Sequence, residues 1–260
     1  MLSKRTGVVV LVTLTLVVII AAIFAPRIAQ PLAYHNFADR RAWLEVPNFA
    51  DVVSNMGFAI VGIWGLVILL GESWRVPFVD SRERWPYVIM FAGMILTALG
   101  SSYYHLAPAN DRLVWDRLPM TMVFMALVAA MVIERISVPV GLALLPLLLL
   151  VGIASVAEWH LSEINGASDL RFYAALQAYA VVLLLAVLLL PPRYTRSSDL
   201  AVVVGFYILA KIAETADRPI FAVGQVVSGH TIKHLLAAAA GLWILRMLQK
   251  RRPVELPEHP

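Results

Sequence analysis

His105 closes one apolar run of the chain, and His230 with His234 opens another. The H-x3-H spacing of the second pair puts both imidazoles on one face of a helix, about one turn apart, which is a chelating geometry. Ser101 stands four residues before His105, and Asp116 follows eleven residues after it, where the next apolar run begins. Such polar groups are costly in or beside a bilayer, so their gathering at a few helix ends points to a function. Metal binding accounts for the residue types. Three neutral imidazoles leave a zinc ion one open position for water, and the ion lowers the pKa of that water from about 16 toward about 7. Asp116 is placed to take or orient the water proton, and Ser101 to donate a hydrogen bond to the water or to a developing oxyanion. The chemistry expected of this set is hydrolysis without a covalent intermediate.

The elements that must hold these groups are membrane helices. Of the 260 residues 60% are hydrophobic, and the mean hydropathy of +0.79 lies far outside the range of soluble domains. Eight apolar runs of about 20 residues, each enough to span the hydrocarbon core, fall near 7–25, 51–70, 86–105, 116–134, 138–157, 170–190, 199–216 and 230–248. The fold class predicted is an all-α polytopic transmembrane bundle. It divides into an N-terminal anchor at 1–30, an outer loop at 31–50, a seven-helix core at 51–250 and a short, disordered cytoplasmic tail at 251–260. Lys4 and Arg5 ahead of the first run also suit a signal sequence, but Pro26 after Ala25 makes a poor cleavage site, so an uncleaved anchor is expected.

With the N-terminus inside, twelve of the 21 Lys and Arg residues, Arg75 among them, fall on the inner side and eight on the outer, while Lys211 lies within a span. That bias follows the positive-inside rule. The net charge of +4 is thereby explained by topology, and no nucleic-acid partner is expected. The same topology brings Ser101, His105, Asp116, His230 and His234 to one depth near the outer, periplasmic or lumenal, face, and leaves the C-terminus cytoplasmic. Cysteine is absent, so a tightly held transition metal must use His, carboxylate and water.

Four pieces in this order carry a family resemblance: Ser54-Asn55, Gly100-Ser101-x3-His105, Asp116-Arg117-Leu118-Pro119-Met120 and Gly229-His230-x3-His234. Over roughly residues 48–250 the chain resembles the alkaline ceramidases, within the seven-helix membrane hydrolase superfamily that includes the adiponectin receptors. The resemblance implies that His105, His230 and His234 ligate Zn2+, with Ser101 and Asp116 as catalytic residues beside the metal water. It also implies an enzyme, a zinc-dependent amidohydrolase cleaving a ceramide-like N-acyl lipid that enters from the bilayer. The alternative is a non-enzymatic seven-helix lipid receptor or sensor with a structural zinc. In one respect the chain departs from the family, whose calcium-binding segment carries a glutamate seven residues before the Asn of the Ser-Asn pair. Asn48 stands there, and His35, Asp39, Glu45 and Asp51 surround it without the family's spacing, so Ca2+ is the weaker cofactor expectation.

Other polar residues have plainer readings. His35 and His160 suit hydrogen-bonded rim positions, and His259 a solvated tail. Ser101 also suits a bond to the carbonyl one turn back, and Asp116 a helix N-cap. Lys211, Glu214 and Asp217 share a helix face and are expected to pair with one another, the alternative being that Glu214 or Asp217 bonds a histidine. Asn55 is a candidate to hold a metal ligand or Asp116, and Ser102 to pack. Trp43, Trp115 and Trp159 suit an interfacial belt. Nucleotide-driven transport is excluded by the lack of a phosphate loop, and an ion-path transporter ranks last because the polar residues cluster at one end.

Overall fold

The apolar runs fold as helices, seen in a computed structural model that describes residues 3–71 and 76–254; Arg75 and residues 255–260, His259 among them, lie outside these. The elements are α1 (Lys4–Phe24), α2 (Phe49–Ser54), α3 (Met56–Leu70), α4 (Arg84–Leu106), α5 (Asn110–Arg135), α6 (Val138–Ile164), α7 (Arg171–Ala186), α8 (Asp199–Thr215), α9 (Asp217–Ala222) and α10 (Gly229–Lys250). No strand occurs among the described residues, and seven stretches are long and apolar enough to cross a membrane: α1, α2 with α3, α4, α5, α6, α7 and α10. The protein is a multi-pass, all-α membrane bundle. Eight spans are expected from the sequence; the remaining one, α8, has 17 residues, at the lower limit for a crossing.

Three helix boundaries differ from the apolar runs because polar turns extend a helix without extending its hydropathy. α5 begins at Asn110, so Asp116 lies inside the helix and is not its N-cap, a position held by Ala109. α6 continues through Glu158, His160 and Ser162 to Ile164. The run at 51–70 is broken at Asn55, whose Nδ2 donates to the Asp51 carbonyl (2.8 Å) in competition with the helix ladder.

α5 is the central post, buried without interruption from Met125 to Arg135. It packs along α4 and α6, while α3 lies on α4, α8 and α3 on α10, and α1 on α7. At the end that carries the polar motifs, α4 and α5 approach so closely that a Cβ on Gly100 would collide with the Trp115 carbonyl. Pro119 explains why that carbonyl is there: having no N–H, it leaves Trp115 without its intrahelical donor. The contact sets Ser101 opposite Asp116.

Three loops use the same local device, an aspartate followed two residues on by an arginine. Asp39, Asp80 and Asp169 each accept the backbone N–H of Arg41, Arg82 and Arg171 at 2.9–3.1 Å, and each pairs with that guanidinium at 2.7 Å. The arginine beside each carboxyl holds it below the usual aspartate range, in Asp80 down to about 2.

The opposite end is closed by a clasp on residues 251–254, the first four of the tail expected to be disordered. Arg251 is 1% exposed, pairs with Glu134 and stacks 4.0 Å from the Tyr194 ring, with Phe78 and Tyr87 beside it. Tyr87 donates to the same Glu134 carboxylate (2.6 Å), and Val254 N–H bonds the Arg193 carbonyl (2.9 Å). A desolvated guanidinium needs such partners, which keeps residues 251–254 on the bundle.

Two outcomes follow. Arg251→Ala leaves the Glu134 carboxylate buried and unpaired, and thermal unfolding in detergent should show a loss of about 3–5 kcal/mol, whereas Arg251→Met with Glu134→Leu should restore most of it. The three clipped carboxyls have folded pKa values below their unfolded value of about 3.9. Their stabilisation is therefore complete above about pH 4 and lost as pH falls from there toward the folded values. A melting temperature flat from pH 5 to 8 in the D39N/D80N/D169N variant, with its acid limb displaced relative to the parent, is the expected result.

Candidate metal centre

The site is built on the first turn of α10. Ser228 caps it by accepting the Thr231 N–H (3.0 Å), Asp217 Oδ1 accepts the His230 N–H (2.8 Å), and Asp51 Oδ1 accepts the hydroxyls of Thr231 (2.7 Å) and Ser228 (3.3 Å). Two free amides of the helix start are thus satisfied by Ser228 and Asp217, and Asp51 holds the hydroxyls beside them. Gly229 is required there, because a Cβ would strike the Ala213 carbonyl and the Asp217 backbone. On the other side, Asn48, in the left-handed region at φ 47°, donates its Nδ2 to the carbonyl of His105 (2.8 Å) and holds the end of α4.

These supports bring the three predicted ligands together. His105, His230 and His234 are 1%, 3% and 2% exposed, one ligand atom from each lies within 4.8 Å of the others, and the ring centroids are 4.8–5.0 Å apart. Nε2 of His105 is 3.3 Å from Nε2 of His230. Two nitrogens bound at about 2.0–2.1 Å to one tetrahedral ion would stand roughly 3.3 Å apart, so the pair fits a shared Zn2+. His234 is oriented for the same purpose. With the Ser54 hydroxyl donating to the Asp51 carbonyl (3.0 Å), its lone pair faces His234 Nδ1 (2.8 Å) and can accept an Nδ1–H, the tautomer that turns a bare Nε2 toward the cluster. His105 Nδ1 is buried without a partner.

Beneath the cluster a cavity of about 140 Å³ runs into the bundle between Phe58, Met90, Met94 and Phe124. Ser101, Asp116, Lys233 and His234 form its polar end. Ser101 and Asp116 are therefore where the sequence places them, at 1% and 7% exposure. Lys233, one of the eight outer cations of the charge count, is the group whose place in the site the sequence did not announce. Its Nζ lies 2.8 Å from Glu214 Oε1 and 3.3 Å from His230 Nε2. The signal was a lysine between two histidines of an apolar helix, three residues from His230 and so about 60° around the helix from it.

The other expectations resolve as follows. Glu214 pairs with Lys211 (2.5 Å) and Lys233 (2.8 Å), and Asp217 bonds backbone rather than an imidazole ring. Asn55 bonds backbone and holds neither a ligand nor Asp116. Ser102 donates to the Val52 carbonyl (3.3 Å), and His35 bonds Tyr104 and Asn110 at 2.8 Å each. Trp43 and Trp115 are exposed as a belt requires, but Trp159 is fully buried against the Arg117 guanidinium at 4.1 Å, because that buried cation needs an aromatic face. Around Asn48 the expected calcium oxygens are dispersed: Asp39 pairs with Arg41, Asp51 caps α10 and Glu45 is exposed. Among the described residues the histidine trio is the one group of three or more His, Asp or Glu able to share an ion.

A family model described as the dsRNA-gated channel SID-1 matches residues 4–215. No curated protein matches the chain. The matched segment runs from α1 to the end of α8, so Ser101, His105 and Asp116 lie within it and His230 and His234 beyond it. The match overturns membership of the alkaline ceramidases, and with it the zinc-dependent amide hydrolase, the ceramide-like lipid substrate and the lipid receptor or sensor. It also overturns the expected absence of a nucleic-acid partner and the last place given to transport. The physical reason is that S-x3-H, an aspartate and H-x3-H specify where ligands sit, which a helical bundle of any activity can accommodate, whereas the match extends over residues 4–215. Likewise, a positive charge that topology explains leaves binding of nucleic acid open. Spanning about four-fifths of the sequence, the match places the chain in the SID-1 dsRNA-gated channel family.

Proposed function

We propose that the protein is a membrane channel or transport protein of the SID-1 family, responsive to double-stranded RNA, whose outer end is fastened by a divalent ion on His105, His230 and His234. The match over residues 4–215 carries the channel reading, and the 3.3 Å approach of two imidazole nitrogens supports the ion. The donor set, three imidazoles and no thiolate, suits Zn2+. When bound, the ion supplies a cross-link between α4 and α10. The chain's own residues do the rest: Ser54 fixes the tautomer of His234, Glu214 holds Lys233, and Asp217 and Ser228 hold the start of α10.

The loop charges support an outward orientation of this end, by the positive-inside rule. Double-stranded RNA is recognised mainly through its phosphates and 2′-hydroxyls, and binding falls as salt rises. Arg27, Arg40, Arg112 and Arg218 at this end take part in no ion pair among the described residues, which leaves them to meet phosphate. The cavity is far too narrow for a duplex, so on this reading passage requires the bundle to open.

In reconstituted vesicles, double-stranded RNA should evoke a conductance or its own uptake, weakened by added salt and altered by His230→Ala. Metal-replete, folded protein that shows neither response at any salt concentration would refute the channel reading. Separately, dialysed protein should retain about one zinc per chain, lost in His105→Ala, and Ser54→Ala should weaken zinc affinity by roughly 10–100-fold. Zinc content that is nil, or indifferent to these substitutions, removes the metal.

A further inference from the structure

The segment between α1 and α2 crosses directly over the histidine trio. Its inward side chain is Phe37, 4% exposed, with its ring centroid 4.4 Å from that of His230 and 4.7 Å from that of His105. On either side the segment is held by polar tethers. His35 bonds Tyr104 and Asn110, Arg218 donates to the Asn36 carbonyl (3.0 Å), and Arg41 donates to the carbonyls of Gln225 (2.7 Å) and Val226 (2.9 Å). The tether at Ala38 differs from these. Asp217 accepts the Ala38 N–H with one carboxylate oxygen and the His230 N–H with the other, both at 2.8 Å.

The backbone beside the segment makes left-handed turns. Leu44, Glu45 and Asn48 all have positive φ, at 49°, 62° and 47°, and Gln225, which receives Arg41, has φ 52°. At Leu44 and Glu45 the conformation belongs to a two-residue turn closed by the Trp43–Val46 bridge, and at Asn48 to a residue type that adopts it readily. Beside the segment an open pocket lined by Tyr34, Phe37, Glu214, Asp217 and His230 leads from the surface toward the site, and from below the cavity approaches it between apolar walls, an unfavourable path for a hydrated ion.

We propose that residues 34–41 are a gate over the histidine centre, with Phe37 as its plug and Asp217 as the carboxylate that couples the gate's position to His230. Where it concerns the ion, the proposal rests on the metal reading above. Closed, the phenyl ring excludes water and ions from the imidazoles. Opening withdraws Phe37, breaks the Ala38 bond to Asp217 and frees that carboxylate to shift, and the His230 amide shifts with it. A ligand that engages the outer face of the segment would thereby be felt at the junction of α4 and α10.

Two rates test this in the full-length protein: extraction of zinc by EDTA, and carbethoxylation of His105, His230 and His234 by diethyl pyrocarbonate in metal-free protein, read by peptide mass spectrometry. Burial of a phenyl ring is worth a factor of about ten or more in an equilibrium, so Phe37→Ala should raise both rates roughly tenfold. Because the chain has no cysteine, Asn36→Cys with Arg218→Cys can be joined by a short bifunctional maleimide. Cross-linking should slow both rates relative to the same variant left open. Rates unchanged by Phe37→Ala and by the cross-link would overturn the gate. Should the protein take up no zinc, the metal reading falls and the carbethoxylation rates still decide the gate; should Phe37→Ala misfold, the cross-linked pair decides it.

Discussion

A helix that begins inside or at the edge of a bilayer carries amide groups that no water satisfies, and the start of α10 is where this bundle meets that constraint. Ser228, Asp217 and Asp51, from three separate segments, close on one helical turn. Each capping group has a second partner. Asp51 offers its carbonyl to Ser54 and so orients His234, and Asp217 reaches the segment overhead. Local satisfaction of the backbone thus assembles the histidine cluster as a by-product. Residues far apart in sequence are brought into register with few bonds of their own.

Much of the frame is legible in the sequence, because period and hydropathy both follow from the need to bury backbone in an apolar medium. Runs of about 20 apolar residues mark the spans, and the H-x3-H spacing places His230 and His234 on one face with His105 at the same depth. What hydropathy misses is polar helix: the first turn and a half of α5, the last turns of α6 and the break at Asn55. The role of Lys233 was hidden for a different reason. Its partner Glu214 lies on another helix, and only the packing of α8 on α10 brings them together. Arg251 was concealed likewise by Glu134, over a hundred residues away.

Activity was the least legible layer. The metal-ligand pattern is a geometric statement about α4 and α10, whereas the family match is a statement about the frame from α1 to α8, and the two overlap only at Ser101, His105 and Asp116. Short motifs of ligating residues recur wherever helices can present them, so they speak to chemistry at a point and not to the traffic of the whole molecule. The polar residues divide into two end clusters, around the histidines and around Arg251, with an apolar cavity between. Opening such a bundle means rearranging those ends.

The aspartate–arginine pairs of the loops bear on how the chain reaches this state. Both members of each pair lie within three residues of sequence, so closing the contact costs little chain entropy and needs no other part of the protein. Two of the three stand immediately ahead of a membrane helix, α4 and α7. Each such contact can therefore form before its neighbours exist, as a small bias on the turn. The nascent chain then delivers helices to the membrane with their entry points already inclined to turn, and assembly is left to sort loosely aimed hairpins rather than a slack thread.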